Sequence, residues 1–172
     1  MVTEGASQVI PLQTTERAEL RARRRNSRVP DLWDALDAVR DPELPVLSIW
    51  DLGVLQNVEL IDGRVCVEII PTWSGCPAME LIEELITERL GAVGFNDVVV
   101  RRLAAPAWTT DWMEARARTA LRDFGVAPPG DRSCPQCGSQ DTQVISEYGS
   151  TACKAMYRCL ACREPFDAFK AF

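Results

Sequence analysis

The 172-residue chain contains no histidine. That absence excludes Ser-His-Asp and Cys-His nucleophilic machinery and any imidazole-ligated metal centre. Chemistry here must run through cysteine, carboxylates, tyrosine or an added cofactor. Long apolar runs are missing too. None approaches the roughly 20 residues needed to span a bilayer, so no membrane role is expected. The N-terminal region lacks the apolar stretch of an export signal, since Arg23-Arg24-Arg25 leads into Asn26-Ser27-Arg28. A twin-arginine signal is excluded on the same ground. Positive charge is not in excess either; the net charge of −6 argues against nucleic acid as the main partner. No internal repeat or low-complexity tract is present. With seven cysteines and no export signal, the expected compartment is the reducing cytoplasm, with thiols free or metal-bound. The length holds one domain of ordinary size plus a small appended one.

Four of the cysteines form the most informative pattern, Cys134-Pro-Gln-Cys137 and Cys159-Leu-Ala-Cys162, separated by a spacer of 21 residues. Each Cys-x-x-Cys pair makes a knuckle that points two thiolates at one ion, and the spacer forms a hairpin that joins the knuckles. Four sulfurs at roughly 2.3 Å then close a tetrahedral zinc site. Pro135 stiffens the first knuckle, and Gly138 permits the positive φ of a tight turn. Two disulfides would suit an exported protein. A redox Cys-x-x-Cys would follow a strand in a βαβ unit, whereas this tail is short and helix-poor.

The chain divides into a polar, Arg-rich leader (residues 1–29), a main domain (30–126), a linker at Ala127-Pro128-Pro129-Gly130, and the cysteine-rich tail (131–172). The leader is expected to be mobile. Its basic cluster, Arg21, Arg23, Arg24, Arg25 and Arg28, reads as a solvated segment or as a dock for an acidic partner. In the main domain, Leu32, Trp33, Leu36 and Val39 recur at helical spacing, with Asp31 as N-cap and Pro42 as stop. Residues 54–60 and 64–70 read as strands around an Asp62-Gly63 turn. Residues 77–90 read as a helix burying Met79, Ile82, Leu85, Ile86 and Leu90, residues 97–103 as a third strand, and 111–124 as a last helix. The fold class is α+β: a small helix-packed sheet domain followed by a C-terminal zinc ribbon.

Cys76 stands out among the remaining cysteines. Pro77 is favoured at the first helical position, which puts Cys76 at the N-cap, where free N–H groups and the helix dipole ease ionisation of a thiol. Gly75 leaves room for something to approach the backbone. The plainer reading is a small buried apolar side chain. Cys66, in mid-strand, is a packing residue.

Asp41-Pro42-Glu43, Asp51-Leu52-Gly53 and Ser74-Gly75-Cys76-Pro77 resemble the small domain of iron–sulfur assembly factors of the cytosolic MIP and bacterial SufT type. The strings Pro71-Thr-Trp-Ser-Gly-Cys-Pro-Ala-Met79, Pro106-Ala-Trp-Thr-Thr-Asp-Trp-Met113 and Gly149-Ser-Thr-Ala-Cys-Lys-Ala-Met-Tyr-Arg-Cys-Leu-Ala-Cys-Arg-Glu-Pro-Phe166 are more specific. Together they resemble the PaaD (PaaJ) family of the bacterial phenylacetate-degradation system, over about residues 30–172. The family's second knuckle ends in glycine. Here Arg163 stands in that place, which weakens the knuckle geometry without removing a ligand.

The resemblance implies an accessory of the phenylacetyl-CoA epoxidase, a multicomponent monooxygenase with a di-iron subunit and a flavin and iron–sulfur reductase. Nothing in this chain suits either of those roles, since paired Glu-x-x-His helices are impossible without histidine. The chain is therefore expected to mature or insert the iron or iron–sulfur cofactor of the epoxidase or its reductase. Cys76 would be the transient ligand for iron or a cluster, with Asp41, Glu43, Asp51, Thr72, Ser74 and Asp111 nearby in the family-like loops. The partners implied are the epoxidase subunits, the reductase and general iron–sulfur assembly proteins; a homo-oligomer is compatible. Two alternatives stand: a stoichiometric structural subunit of the epoxidase, and a thiol enzyme using Cys76, which lacks a visible base. Cys153, six residues before the second knuckle, is read first as packing, because a closed four-cysteine site has no vacancy. Its other readings are a substitute ligand, or part of a second, labile site with Cys76 if the ribbon folds back over the main domain.

Overall fold

Asp62 and Gly63 both take left-handed backbone angles, φ 51° and 85°, in the computed structural model, which describes residues 12–172. Two successive positive φ values twist a two-residue hairpin with the natural hand of its strands. The turn joins β1 (Leu55–Ile61) to β2 (Arg64–Ile69), with Ile61 opposite Arg64. From β2 the chain crosses through helix α3 (Met79–Ala92) and returns as β3 (Val98–Arg102), parallel to β2. The sheet order is β1-β2-β3. Central β2 buries Val65, Val67 and Ile69 completely, and α3 contributes Met79, Ile82, Ile86 and Leu90 to the same core. The period-2 and period-3.6 patterns thus land on the faces that they encode.

Helix α2 (Pro30–Asp37) adds Leu32, Trp33 and Leu36 to that core. It starts one residue before the expected N-cap, because Pro30 takes the first helical position and Val29 caps. The last expected helix is broken. A 3₁₀ turn at Thr110–Trp112, whose Asp111 N–H donates to the Thr109 hydroxyl, precedes α4 (Ala115–Asp123). The break turns Trp112 and Met113 into the core.

Residues 1–11 of the expected leader lie outside the described residues. The remainder is not a solvated segment: Leu12–Arg25 forms helix α1, which buries Leu20 and Arg17. Arg17 donates to Glu114 at 2.6 Å and to the Trp50 carbonyl at 3.1 Å, and lies 4.3 Å over the Trp50 ring. Arg21 pairs with the second oxygen of Glu114 at 2.6 Å, and Arg24 with Asp34 and Asp37. Part of the basic cluster thus meets acidic groups of its own chain, while Arg25 and Arg28 stay exposed. Burial alone would raise the Glu114 carboxyl, but the Arg21 hydrogen bond and the two guanidinium charges hold it below its usual range. Glu114→Ala strands a buried guanidinium and should weaken α1 docking by about 3 kcal/mol. Trypsin should then cut at Arg21–Arg25 well before the rest of the chain. In the unaltered protein the same contribution is complete above the ordinary glutamate pKa and is lost as pH falls through the depressed one. Acid should therefore release α1, a loss of protection that amide exchange can follow.

The tail forms a second sheet of β4 (Val126–Ala127), β5 (Thr142–Ser146), β6 (Lys154–Cys159) and β7 (Pro165–Phe169), in the order β4-β7-β6-β5. Its first strand occupies part of the expected linker. Val126 and Ala127 pair in parallel with Asp167 and Ala168, and Pro128 and Pro129 are buried. The ribbon keeps a small core of its own, formed by Ala127, Cys134, Cys159, Phe166 and Ala168. It also packs on the main domain, where Trp108 meets Phe169 and Phe172 with ring centroids 6.1 and 5.9 Å apart.

Candidate metal centres

The two knuckles close on each other. Cys134 Sγ lies 3.7 Å from Cys162 Sγ, Cys137 Sγ lies 3.6 Å from Cys159 Sγ, and all four sulfurs fall within 4.8 Å of one another. A zinc ion with bonds of about 2.3 Å places tetrahedral sulfurs about 3.8 Å apart, so the donor set fits zinc in both spacing and softness. The backbone supports it. Gly138 has φ +74°, and Arg163, at the equivalent place after the second pair, takes φ +72°. The missing glycine therefore leaves the knuckle geometry intact, at the cost of holding an arginine in the left-handed region. The Cys162 N–H donates to Cys159 Sγ at 3.4 Å and is the leading cause holding that thiol below its ordinary pKa. Four protein ligands leave no open position, which suits a structural ion and no catalytic one.

The second constellation gathers at Cys76, and one local expectation is corrected there. Helix α3 begins at Met79, with Ala78 as N-cap. Cys76 lies outside it, between two turns: its N–H donates to Trp73 O at 3.2 Å and its carbonyl accepts from Met79 N at 3.4 Å. The thiol is half-buried against the main core. Burial pushes its pKa up; the Ala78 N–H opposes this, and the charges of Glu43, Asp41 and Cys153 raise it further. The resting side chain is a neutral thiol. Gly75 has a steric reason as well. A Cβ there would lie 2.6 Å from the Trp73 ring, so glycine accommodates the indole, and the residue itself stays exposed.

The candidate carboxylates separate into two groups. Asp41 is buried and accepts from the N–H groups of Glu43 (2.9 Å) and Leu44 (2.8 Å). Burial pushes its pKa up, and burial with the Asp41 charge does the same to half-buried Glu43. Both face Cys76. Thr72, half-buried, and Ser74, exposed, share its loop. Asp51 is committed elsewhere: it accepts from Ser48 N at 3.1 Å and pairs with Arg116, which also bridges both oxygens of Asp37 at 2.9 Å. Asp111 is exposed in the 3₁₀ turn. The Arg116 ring of ion pairs carries no local signal, because its members come from α2, the following loop and α4.

Gly53, in the Asp51-Leu52-Gly53 motif, shows why these loops are held in place. Its φ is +75°, and a Cβ would lie 2.7 Å from Trp112 Cβ and 2.9 Å from the Trp112 carbonyl oxygen. Gly53→Ala should cost at least about 2 kcal/mol, from backbone strain and displacement of a buried indole. The denaturation midpoint measures it; a midpoint like the unaltered protein's would mean that Trp112 gives way freely.

Comparison with known proteins gives the same division. A model described as the PaaD zinc beta ribbon domain matches residues 124–170, and one described as iron-sulfur cluster assembly protein matches residues 30–100. An Escherichia coli (strain K12) protein, described as a putative subunit of 1,2-phenylacetyl-CoA epoxidase, is 47% identical over 152 residues, 83% of this chain and 92% of that one. The chain belongs to the PaaD family. An Fe-S protein maturation auxiliary factor of Porphyromonas gingivalis is 34% identical over 53% of this chain and 88% of its own length. A solved DUF59 domain of Bacillus anthracis aligns with TM-score 0.50 and 25% identity over 60% of this chain and 95% of that one, which shows a shared α+β fold. In this PaaD-family chain, the assembly-protein match holds Cys76, Asp41 and Glu43, and the ribbon match holds the four zinc-type cysteines and Cys153.

Proposed function

We propose that this chain is an accessory protein of phenylacetate catabolism that carries iron or an iron–sulfur cluster to the phenylacetyl-CoA epoxidase or its reductase, with Cys76 as the transient ligand and a zinc-bound ribbon as scaffold. The observation that carries this reading is the contrast between the two cysteine sites. One is a closed cage of four sulfurs; the other is a single half-buried thiol, within reach of the Glu43 and Asp41 charges, on the domain matched to iron–sulfur assembly proteins. A closed cage holds its ion, whereas a carrier must also release one.

Loading balances as ligand exchange. A cationic cargo displaces the Cys76 proton to solvent, a metal–sulfur bond forms, and a weaker ligand leaves. Asp41 and Glu43 supply negative charge that favours the cation, and their mutual repulsion falls as it arrives. Delivery is the reverse exchange, onto ligands of the recipient, with no change of oxidation state. The reading places the protein in a reducing compartment, where Cys76 stays a thiol.

The epoxidase components purified from cells lacking this chain should contain less iron per polypeptide, and incubation with the iron-loaded chain should restore it. Full iron content without the chain would overturn the reading. The E. coli relative is described as a part of the epoxidase itself, which favours a second reading, a stoichiometric structural component. Gel filtration separates the two, since a structural component stays with the oxygenase at fixed ratio and a carrier does not.

A further inference from the structure

We infer that the free edge of β1 is a docking site for an extended, acidic peptide segment of a partner protein, which adds to the first sheet as a fourth strand and sets its carboxylates on Arg23 and Arg28. This goes beyond the cargo reading and uses none of its residues.

Strand β1 ends the sheet order β1-β2-β3, and among the described residues no strand pairs with its outer side. The free backbone groups follow from how β2 is used. The Val65 N–H donates to the Asp97 carbonyl at 2.9 Å, and the Ile69 carbonyl accepts from the Leu103 N–H at 2.8 Å. Val65, Val67 and Ile69 therefore turn their backbone groups toward β3. Leu60 and Val58 stand opposite Val65 and Val67. Such facing positions of an antiparallel pair exchange no bonds, so the N–H and C=O groups of Val58 and Leu60 point out of the sheet. Two residues apart, they present the repeat that an added strand takes up. Only the start of the edge is closed: Arg23 Nη1 donates to the Gln56 carbonyl at 3.1 Å, at the bulge between Leu55 and Asn57.

Beyond that bond the edge forms one wall of a groove of about 450 Å³, whose other wall is the end of α1 and the turn into α2. The charge of that second wall selects the occupant. Arg17, Arg21 and Arg24 are committed to Glu114, Asp34 and Asp37. Arg23 and Arg28 line the groove, are exposed, and make no ion pair among the described residues. Glu59 is the one carboxylate in the lining. Two uncommitted guanidiniums beside an open strand edge suit a segment that carries carboxylates, which arginine can grip in bidentate fashion. Leu60 and Ile61 are exposed at the far end and offer contact to its apolar side chains. Trp33 also lines the groove; it is fully buried, and its indole N–H has no partner among the described residues. A buried donor is costly to leave unsatisfied, and an added strand brings carbonyls into the same groove. Natural edge strands are commonly blunted by charge, proline or a covering loop. From Asn57 to Ile61 this one carries a single charge, Glu59. A second copy pairing through the same edge would set its own Arg23 and Arg28 against these, and like charge disfavours that.

The zinc-loaded, full-length chain would be used to select from a phage-displayed library of random peptides of about ten residues, enough for one strand and its flanks. Selected sequences should be proline-free and acidic, and a synthetic copy should bind less tightly as salt is raised. Amide exchange at Val58 and Leu60 should slow in the complex. Arg23→Glu combined with Arg28→Glu should weaken binding at least about tenfold and leave the melting temperature unchanged, since both side chains are exposed. Leu60→Pro should abolish binding, because it removes an outward N–H that β2 does not use, a place where an edge strand tolerates proline. Should Leu60→Pro disturb the strand, the charge reversal and the exchange pattern decide alone. An empty selection, basic peptides, or protection confined to other strands would overturn the inference. So would a dimer that competes with the peptide, or binding seen only after removal of residues 1–11, which would assign the edge to a second copy or to the chain's own start. Cys76→Ser should bind the peptide like the unaltered protein, so failure of the cargo reading leaves this one standing.

Discussion

Cys134→Ser should release the ribbon's metal and unfold residues 131–172 while leaving the first sheet folded. The ribbon's own core is five residues, two of them cysteines of the cage. A segment of that size buries too little apolar surface to offset the entropy of ordering it. A structural zinc ion contributes on the order of 10 kcal/mol, and without it such domains are unfolded. Cys137, Cys159 and Cys162 should behave alike, because the cage needs every sulfur. The damage should reach the main domain in a defined way. Phe169 and Cys153 belong to the larger core, and Trp108 is covered by Phe169 and Phe172. Losing the ribbon therefore exposes Trp108, which should redden tryptophan emission and lower the melting temperature of what remains. Metal analysis with limited proteolysis checks the first step. A metal-free protein whose tail resists protease would show that the four sulfurs hold nothing that the fold needs.

What is legible in the sequence is what local chemistry decides. The Asp62-Gly63 pair announces its hairpin because two positive φ values suit few other dipeptides. Met79, Ile82, Ile86 and Leu90 announce a helix face by spacing alone, and the knuckles announce a cage because Cys-x-x-Cys closes within itself. The errors cluster where a distant group decides. Arg17 is buried because Glu114, 97 residues away, meets it; residue by residue, α1 reads as a solvated leader. Pro77 alone places Cys76 at a helix cap, yet the Trp73–Cys76 turn shifts the helix start to Met79. The expected acidic thiol is a neutral one for the same reason, since it is half-buried beside groups of its own sign rather than aligned with a dipole.

Cys76→Ser should abolish support of growth on phenylacetate and leave the protein folded with its zinc. The structural half follows from position. The side chain is half-buried and lies outside α3, and serine differs from it by one atom. Stability should change by no more than about 1 kcal/mol. The functional half follows from donor chemistry. A serine hydroxyl keeps its proton at neutral pH and is a far poorer ligand for iron than a thiolate. The carboxylates of Asp41 and Glu43 remain, but they are hard donors, and Asp41 is already engaged by two backbone N–H groups. Cells carrying the variant should therefore yield epoxidase or reductase under-loaded with iron, alongside normal amounts of the variant itself. That last measurement matters, because a drop in its own abundance would explain lost growth without any ligand role. If the cells grow normally and the partner enzymes hold full metal, Cys76 is a packing residue. The fixed-ratio structural component then becomes the better account of a two-domain protein whose bound metal resides in the ribbon alone.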